Sequence, residues 1–277
     1  MFKEFIGNFY LVRGFNFAQE FEGDYGMKTL HVAMAAICAA LYALIGRLTD
    51  LGITFGGVAF WPAAVIPAVF AVLFGPWVGG TGAAIGIFIR DMLFHGDPLL
   101  SLSAGVTANF AGGFLIGYFA RTSLNWKRIS TSMFIGSVTI VAGLLLPSVL
   151  LPVESELFTG WPAYVSIIVF TVAVIASIAI MMAVVKFWPE WRSYSVGSII
   201  GLGVASLIIA LVVWAYSQVF FSPEGYFKAP LPPEFMPLIF VWTFATEIPF
   251  VLLLGPPIIK ACQRAFPSLV PQKTESR

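Results

Sequence analysis

Long apolar segments with few charges fill most of this chain of 277 residues. A helix needs about 20 apolar residues to cross the hydrocarbon core of a bilayer. Eight segments reach or approach that length: residues 28–48, 58–74, 77–94, 104–120, 131–151, 162–187, 196–221 and 237–260. None shows the sustained polar–apolar alternation of a membrane-spanning strand. The sequence therefore predicts an all-α, polytopic bundle of transmembrane helices.

The charge content excludes several classes of protein. Only 10% of the residues are charged, whereas about 25% are charged in a typical soluble domain. A soluble enzyme, a nucleic-acid-binding protein and a disordered chain are therefore excluded, and the net charge of +1 favours no polyanionic partner. Cys38 and Cys262 lie in or beside apolar runs, which predicts no disulfide framework. We also predict no metal site and no cofactor.

The second and third runs are short and meet at Gly75-Pro76. Pro62 and Pro67 lie in the second run, where proline removes backbone donors and kinks a helix. Two arrangements stay open for these runs, a re-entrant pair or one broken helix. The chain has eight spans if both runs cross and six if neither does.

Basic residues cluster in alternate connections between the runs. They precede the first run and follow the fourth, sixth and eighth: Lys3, Arg13, Lys28, Arg121, Lys127, Arg128, Lys186, Arg192, Lys260, Arg264, Lys273 and Arg277. The other connections hold the acidic residues Asp50, Asp97, Glu154, Glu156, Glu224 and Glu234. Because Lys and Arg collect in cytoplasmic loops, we predict a multi-pass protein of the cell membrane with both termini in the cytoplasm.

The two ends of the chain differ from the apolar runs. Residues 1–26 have no clean apolar core and lack the features of a signal peptide. They are interpreted either as a cytoplasmic interfacial extension or as a mis-assigned start, since Met27-Lys28 opens the first run. Residues 27–265 are expected to form a single transmembrane domain, and residues 266–277 a cytoplasmic tail.

Alanine recurs every four residues in the first run, at Ala35, Ala39 and Ala43, with a second row at Ala36 and Ala40. Small residues at this spacing allow helices to approach closely in lipid. The rows serve either packing within the chain or contact with a partner.

Four segments across residues 30–120 carry a distinctive pattern. The alanine-rich run comes first. Thr-Phe-Gly-Gly-Val-Ala-Phe-Trp at 54–61 then leads to two prolines. A Phe-Gly-Pro turn at 74–76 precedes a glycine-rich run that ends near Asp91. Asn-Phe-Ala-Gly-Gly-Phe-Leu-Ile-Gly follows at 109–117. Together these segments resemble the substrate-binding (S) components of energy-coupling-factor (ECF) transporters, the vitamin-uptake family.

The resemblance implies a binding protein rather than an enzyme. S components capture a micronutrient outside the cell and deliver it through a complex with a transmembrane coupling (T) subunit and two cytoplasmic ATPases. The chain contains no Gly-x-x-x-x-Gly-Lys-Ser/Thr phosphate loop, so an ATPase would be a separate chain. S components usually have six helices, so eight runs indicate a six-helix core with additional helices. By the resemblance, Ala35, Ala39 and Ala43 would pack on the T subunit.

The loop around Gly56-Gly57 would act as a lid over the ligand, again by the resemblance. Glycine supplies the backbone freedom that a lid requires. Phe55 and Trp61 flank this loop and are candidates for stacking on a flat ring ligand. Trp and Tyr also form the ordinary aromatic belt at the membrane interface, which is the alternative interpretation of this aromatic content.

Polar side chains at membrane depth are costly and usually functional. Arg90 and Asp91 end the third run and are candidate ligand contacts, or they reach the headgroup layer by snorkelling. Because adjacent helical residues point about 100° apart, we predict that these two do not pair with each other. Asn109 is a further candidate, since its amide suits the edge of a heterocycle, or it forms an interhelical hydrogen bond.

Glu247 is the deepest carboxylate of the sequence, about 15 Å into the eighth run by the rise per residue. It is predicted to bind the ligand or to couple protons. The alternative is a structural partnership with Arg47, Arg90 or a backbone donor. His31 is interpreted as structural, and His95 is placed in an outer loop.

Two other functions compete with the S component. A stand-alone secondary transporter of a small organic solute would have inverted repeats, and no convincing repeat relates the two halves. An intramembrane enzyme would require a catalytic motif, and the sequence contains no His-Glu-x-x-His or Gly-x-Ser-x-Gly. Riboflavin, thiamine, biotin or a related precursor all fit an aromatic, mostly neutral pocket.

Overall fold

The computed structural model describes residues 25–122, 163–222 and 224–269, together with residues 130, 131, 134 and 138. Most of the fifth apolar run, of the N-terminal extension and of the C-terminal tail lies outside these residues. The described helices of ten or more residues are α1 (Tyr25–Thr49), α2 (Val65–Phe74), α3 (Pro76–Phe94), α4 (Pro98–Ala120), α5 (Ala163–Phe187), α6 (Arg192–Val219) and α7 (Phe235–Ala265). The described part of the chain is therefore all-α apart from one short hairpin, as the sequence predicts.

The hairpin follows α1. Strand β1 (Thr54–Phe55) pairs antiparallel with strand β2 (Val58–Ala59), and the turn between them has positive φ angles of 53° at Gly56 and 83° at Gly57. Glycine adopts such angles without a steric cost. The end of the bundle that carries this turn, and with it the α3–α4 turn and the α6–α7 connection, is called the hairpin end below.

Gly75 reverses the chain between α2 and α3. Its φ is 115°, and a Cβ atom placed on Gly79 of α3 would overlap Ala71 of α2. The two helices therefore pack side by side, and this excludes the alternative of one broken helix for the second and third apolar runs.

Several described helices meet the length and apolarity that a bilayer requires. Four are long and apolar enough to cross a membrane by length and composition: Thr29–Thr49, Pro98–Ala120, Pro189–Val219 and Phe235–Ala265. Pro62–Phe74 and Val174–Val184 are shorter apolar helices. These helices confirm the prediction of a multi-pass membrane bundle.

The first alanine row of α1 faces the inside of the bundle. Ala35, Ala39 and Ala43 are each at most 9% exposed. A Cβ atom on Gly82 of α3 would lie 3.2 Å from the carbonyl oxygen of Ala35, and one on Gly86 would lie 2.7 Å from that of Ala39. Glycine on α3 thus allows α1 and α3 to approach closely. The surface that the resemblance assigned to a T subunit is occupied by a helix of the same chain.

Helices α6 and α7 complete the core. Where α6 packs along α4, a Cβ atom on Gly201 would lie 2.7 Å from the carbonyl oxygen of Gly112, so glycine keeps these two backbones close. Helix α7 packs on α6 and α2, and α5 contacts α7 and, less, α6. Among the described helices, α5 packs mainly against α7.

Candidate functional site

A cavity lies at the hairpin end, between α3, α4, α6 and α7. It contains about 580 Å³ of empty space, its open mouth included. Its lining includes Trp61, Arg90, Asp91, Asn109 and Glu247. Five of the six residues that the sequence nominated for ligand contact thus lie around one cavity.

Phe55, the sixth nominated residue, does not line the cavity. Its side chain is 1% exposed. Its ring stacks on Phe235 with 5.6 Å between the ring centroids, and Trp242 is 6.1 Å away. Phe55 therefore anchors the hairpin to α7. It does not face the cavity.

Asp91 organises the mouth of the cavity. Its Oδ2 accepts a hydrogen bond from Ser101 Oγ at 2.8 Å, and its Oδ1 lies 3.7 Å from His95 Nε2. Arg90 Nη1 also donates to Asp91 Oδ1 at 3.2 Å. The expectation that Arg90 and Asp91 do not pair is therefore wrong. The two Cβ atoms diverge, but the long arginine side chain curls back to its neighbour.

Arg90 is held on several sides. Its Nη2 lies 3.6 Å from Asp50 Oδ2, and Asp50 also pairs with Arg47 at 3.3 Å. The guanidinium carbon lies 4.8 Å from the ring centroid of Trp61 and 4.2 Å from that of Phe94. These ion pairs and cation–π contacts fix the guanidinium at the mouth, so it does not snorkel freely to the headgroups.

A π-helical turn of α4 forms the wall facing Asp91. This turn, Ser101–Val106, carries the hydroxyl that binds Asp91. A Cβ atom on Gly105 would lie 2.7 Å from Asp91 Oδ2, so only glycine leaves room for the carboxylate. Single π-helical turns within α-helices are frequent at functional sites.

Asn109 is engaged by the protein itself. The Tyr42 hydroxyl of α1 donates to Asn109 Oδ1, and Asn109 Nδ2 donates to the carbonyl oxygen of Gly105 at 2.9 Å. The interhelical hydrogen bond that the sequence left as an alternative is therefore present. Asn109 still lines the cavity, where a second lone pair of its carbonyl oxygen is available to a ligand.

Glu247 lines the deep part of the cavity and is 9% exposed. Neither arginine suggested as its partner reaches it, because Arg47 pairs with Asp50 and Arg90 with Asp91 and Asp50. Within the described residues, no hydrogen bond or ion pair joins the Glu247 carboxyl group to another side chain or to the backbone. A buried carboxyl group in this state is costly unless something else binds it.

The β-hairpin covers the cavity and is held by hydrogen bonds from two other parts of the chain. Gly57 and strand β2 belong to the cavity lining. Tyr226, in the α6–α7 connection, donates its hydroxyl to the Gly57 carbonyl oxygen at 2.6 Å. Trp242 of α7 donates its indole N–H to the Val58 carbonyl oxygen at 3.0 Å. Desolvation raises the pKa of Tyr226 to about 12, so its hydroxyl remains a donor at neutral pH.

Asp97 fixes the neighbouring α3–α4 turn. It caps α4 by accepting from the backbone amides of Leu99 and Leu100, each at 3.0 Å, and it accepts from the Tyr216 hydroxyl of α6 at 2.5 Å. Burial raises the pKa of Asp97, but these hydrogen bonds outweigh burial and hold the pKa below its usual 3.8.

The sequence analysis missed several lining residues. His95, which it placed in a loop, has a side chain only 6% exposed and faces the cavity. The four-residue spacing from Asp91 to His95 on one helix face is a signal that could have identified it. Ile209 and Val213 of α6 also line the cavity, and nothing in their uniformly apolar run distinguishes them.

Comparison with known proteins identifies a family. The family model of the ECF-type riboflavin transporter S component matches residues 26–187. UPF0397 proteins of Streptococcus agalactiae strains of serotypes Ia, V and III are each 28% identical over 137 residues, which cover 48% of this chain and 72% of the relative. No solved structure gives a significant match.

The matched range contains the hairpin, the mouth residues Arg90 and Asp91, and Asn109. It stops before Ile209, Val213 and Glu247, so α6 and α7 contribute cavity walls that the family model does not cover. The resemblance noted from residues 30–120 is confirmed by a match over more than half of the chain. The chain belongs to the family of ECF-type riboflavin transporter S components, the membrane-embedded substrate-binding parts of transporters.

Proposed function

We propose that this chain captures a vitamin-like micronutrient in the hairpin-end cavity and delivers it through an ECF complex with a T subunit and cytoplasmic ATPases. The observation that carries this proposal is the cavity itself. Polar side chains converge on it from three helices, α3, α4 and α7, and a hydrogen-bonded hairpin covers it. These are features of a small-molecule site in a chain whose family supplies the binding component of transporters.

The distribution of charge supports an outward-facing hairpin end. Among the described residues, five basic side chains lie at or beside the opposite ends of the helices: Arg121, Lys186, Arg192, Lys260 and Arg264. At the hairpin end, Arg47 and Arg90 are paired with Asp50 and Asp91, and Lys228 is the third Lys or Arg there in the described part of the chain. By the positive-inside rule the opposite end faces the cytoplasm, so the cavity opens toward the source of the nutrient.

A T subunit would dock on the second alanine row of α1. Ala36 and Ala40 are exposed, whereas Ala39 is 2% exposed and packs on α3. We expect Ala40→Leu to reduce co-purification with the T subunit several-fold and to leave ligand binding unchanged. Ala179→Leu, at an exposed alanine of α5, is the matched control. Equal co-purification of both variants would contradict docking at this row.

The decisive experiment is to purify the protein from cells grown in rich medium, denature it and identify the released small molecules by mass spectrometry. A vitamin-like compound in stoichiometric amount is the expected result. Uptake of that compound by cells should then require ATP, the T subunit and the ATPases together. Uptake by the isolated chain in liposomes without ATP would instead identify a secondary transporter.

A further inference from the structure

We infer that the substrate is an organic cation with a ring, and that Glu247 binds its positively charged nitrogen in the deep part of the cavity. This inference rests on the proposed function, because it names the class of ligand that the same cavity takes. It goes beyond the family assignment, since Glu247 lies outside the matched residues 26–187.

The charges at the mouth balance without Glu247. Arg90 lies between Asp91 at 3.2 Å and Asp50 at 3.6 Å, and Arg47 shares Asp50 at 3.3 Å. Two guanidinium groups thus face two carboxylates. Within the described part of the chain, no further Lys or Arg lines the cavity, so an ionised Glu247 has no protein cation beside it.

Two neutral donors beside the cavity, Tyr42 and Asn109, are already used, whereas the Trp61 indole N–H has no hydrogen-bond partner within the described residues. The Tyr42 hydroxyl is donated to Asn109 Oδ1, and Asn109 Nδ2 is donated to the Gly105 carbonyl oxygen at 2.9 Å. A ligand that enters the cavity can compensate the Glu247 carboxylate. A cationic nitrogen compensates both its charge and its hydrogen-bonding capacity, whereas a neutral N–H group compensates only the second.

The residues that line the cavity favour an organic cation over a metal ion. The described residues contain no group of three or more His, Cys, Asp or Glu side chains that could hold a metal, and hard metal ions require several oxygen ligands. The walls between the mouth and Glu247 are instead apolar, with Ile87, Leu100, Ile209 and Val213 among them. Such walls bind the uncharged part of a ring compound.

Depth sets the orientation of the ligand. Glu247 lies about 18 Å along α7 from Phe235 at the hairpin end, by the rise per residue of a helix. The positively charged nitrogen would point into the bundle, and the remaining polar groups would face Arg90, Asp91 and His95 at the mouth.

The test compares three vitamins of different charge on purified, ligand-depleted protein by isothermal titration calorimetry. Thiamine is a cation, riboflavin is uncharged and biotin is an anion. We expect thiamine to bind at least 10-fold more tightly than the other two. Glu247→Gln should reduce thiamine affinity at least 10-fold, and Glu247→Asp, which keeps the charge, should reduce it less. Glu224→Gln, at an exposed carboxylate of the α6–α7 connection, is the matched control.

The binding and uptake measurements distinguish failure of the inference from failure of the proposed function. Thermal melting of each variant establishes that a loss of binding does not come from unfolding. Riboflavin binding that Glu247→Gln leaves unchanged, without thiamine binding, would overturn the inference and leave the proposed function standing. Failure of all three compounds to bind would also overturn the inference. The proposed function would fail only if ATP-dependent uptake with the T subunit and ATPases were absent as well.

Discussion

Gly105 and Asp91 illustrate how closely single residues determine the mouth of the cavity. The Asp91 carboxylate occupies the space where any larger residue at position 105 would place its Cβ atom, 2.7 Å from Oδ2. The hydrogen bond from Ser101 and the pairs with Arg90 and His95 all depend on that position of the carboxylate. The absence of a side chain at Gly105 is thus as important for the mouth of the cavity as the charged side chains of Arg90 and Asp91.

We predict that Gly105→Ala weakens ligand binding about 10-fold or more, because Asp91 must move away from Ser101 and Arg90. The matched control is Gly203→Ala on α6, where an added Cβ atom meets nothing within 4 Å. Since alanine favours a helix over glycine by about 1 kcal/mol, this control should keep or slightly raise the melting temperature. Equal affinities of the two variants and the wild type would contradict the role given to Gly105.

The ionisation of Asp97 makes the stability of the protein depend on pH in the acidic range. Its pKa is held below the usual value, so its stabilising effect is present above the unfolded pKa and is lost as the pH falls through the folded pKa. Asp97→Ala removes a helix cap and the Tyr216 contact, and loss of such a cap costs about 1 kcal/mol or more. The difference in melting temperature between wild type and Asp97→Ala should be constant above about pH 5 and should shrink below about pH 4.

The control for this effect is Asp97→Asn. Asparagine keeps an oxygen acceptor for the amides of Leu99 and Leu100 but does not titrate. Its melting temperature relative to Asp97→Ala should therefore not depend on the ionisation of this position. If the difference in melting temperature between the wild type and Asp97→Ala stays unchanged down to pH 3, ionised Asp97 contributes nothing to stability.

At the scale of elements, other parts of the chain hold the hairpin in place over the cavity. Two strands of two residues each are too short to be stable alone. The α6–α7 connection holds the turn through Tyr226, and α7 holds β2 through Trp242. If the hairpin acts as a lid, its opening must break contacts to parts of the chain that lie far away in sequence.

We predict that Tyr226→Phe accelerates ligand release several-fold and leaves the association rate little changed. The substitution removes one hydrogen bond to Gly57, worth about 1 kcal/mol, and keeps the aromatic ring beside His95. Stopped-flow measurement of the dissociation rate tests this expectation. Tyr118→Phe, in α4 and outside the cavity lining, is the control, and the same rate for both variants would contradict a latch at Tyr226.

At the scale of the whole molecule, the sequence predicted the membrane bundle and most of the cavity for one physical reason. Buried charges in an apolar chain are rare, so Arg90, Asp91 and Glu247 stood out, and the structure places them around one cavity. Which side chains contact each other within the chain was harder to predict. The pairing of adjacent Arg90 and Asp91 depends on side-chain length, and the inward orientation of Ala39 depends on which helix packs against it.

The contribution of α6 and α7 to the cavity walls could not be predicted from sequence patterns either. The family match ends before both helices, and their apolar runs give no sign that Ile209 and Val213 face a cavity. Only tertiary packing brings α6 against α4 and α7 against α2.

The orientation of this bundle in the membrane decides from which side a ligand reaches the cavity. If the hairpin end faces outward, a cysteine at the exposed position 224 should react with a membrane-impermeant maleimide on intact cells, and one at the exposed position 264 should react only after permeabilisation. Glu224→Cys and Arg264→Cys are compared in a Cys262→Ala background. Native Cys38 is 0% exposed and should stay unlabelled in both. The reverse pattern would place the cavity on the cytoplasmic side, which an importer that captures its substrate outside does not allow.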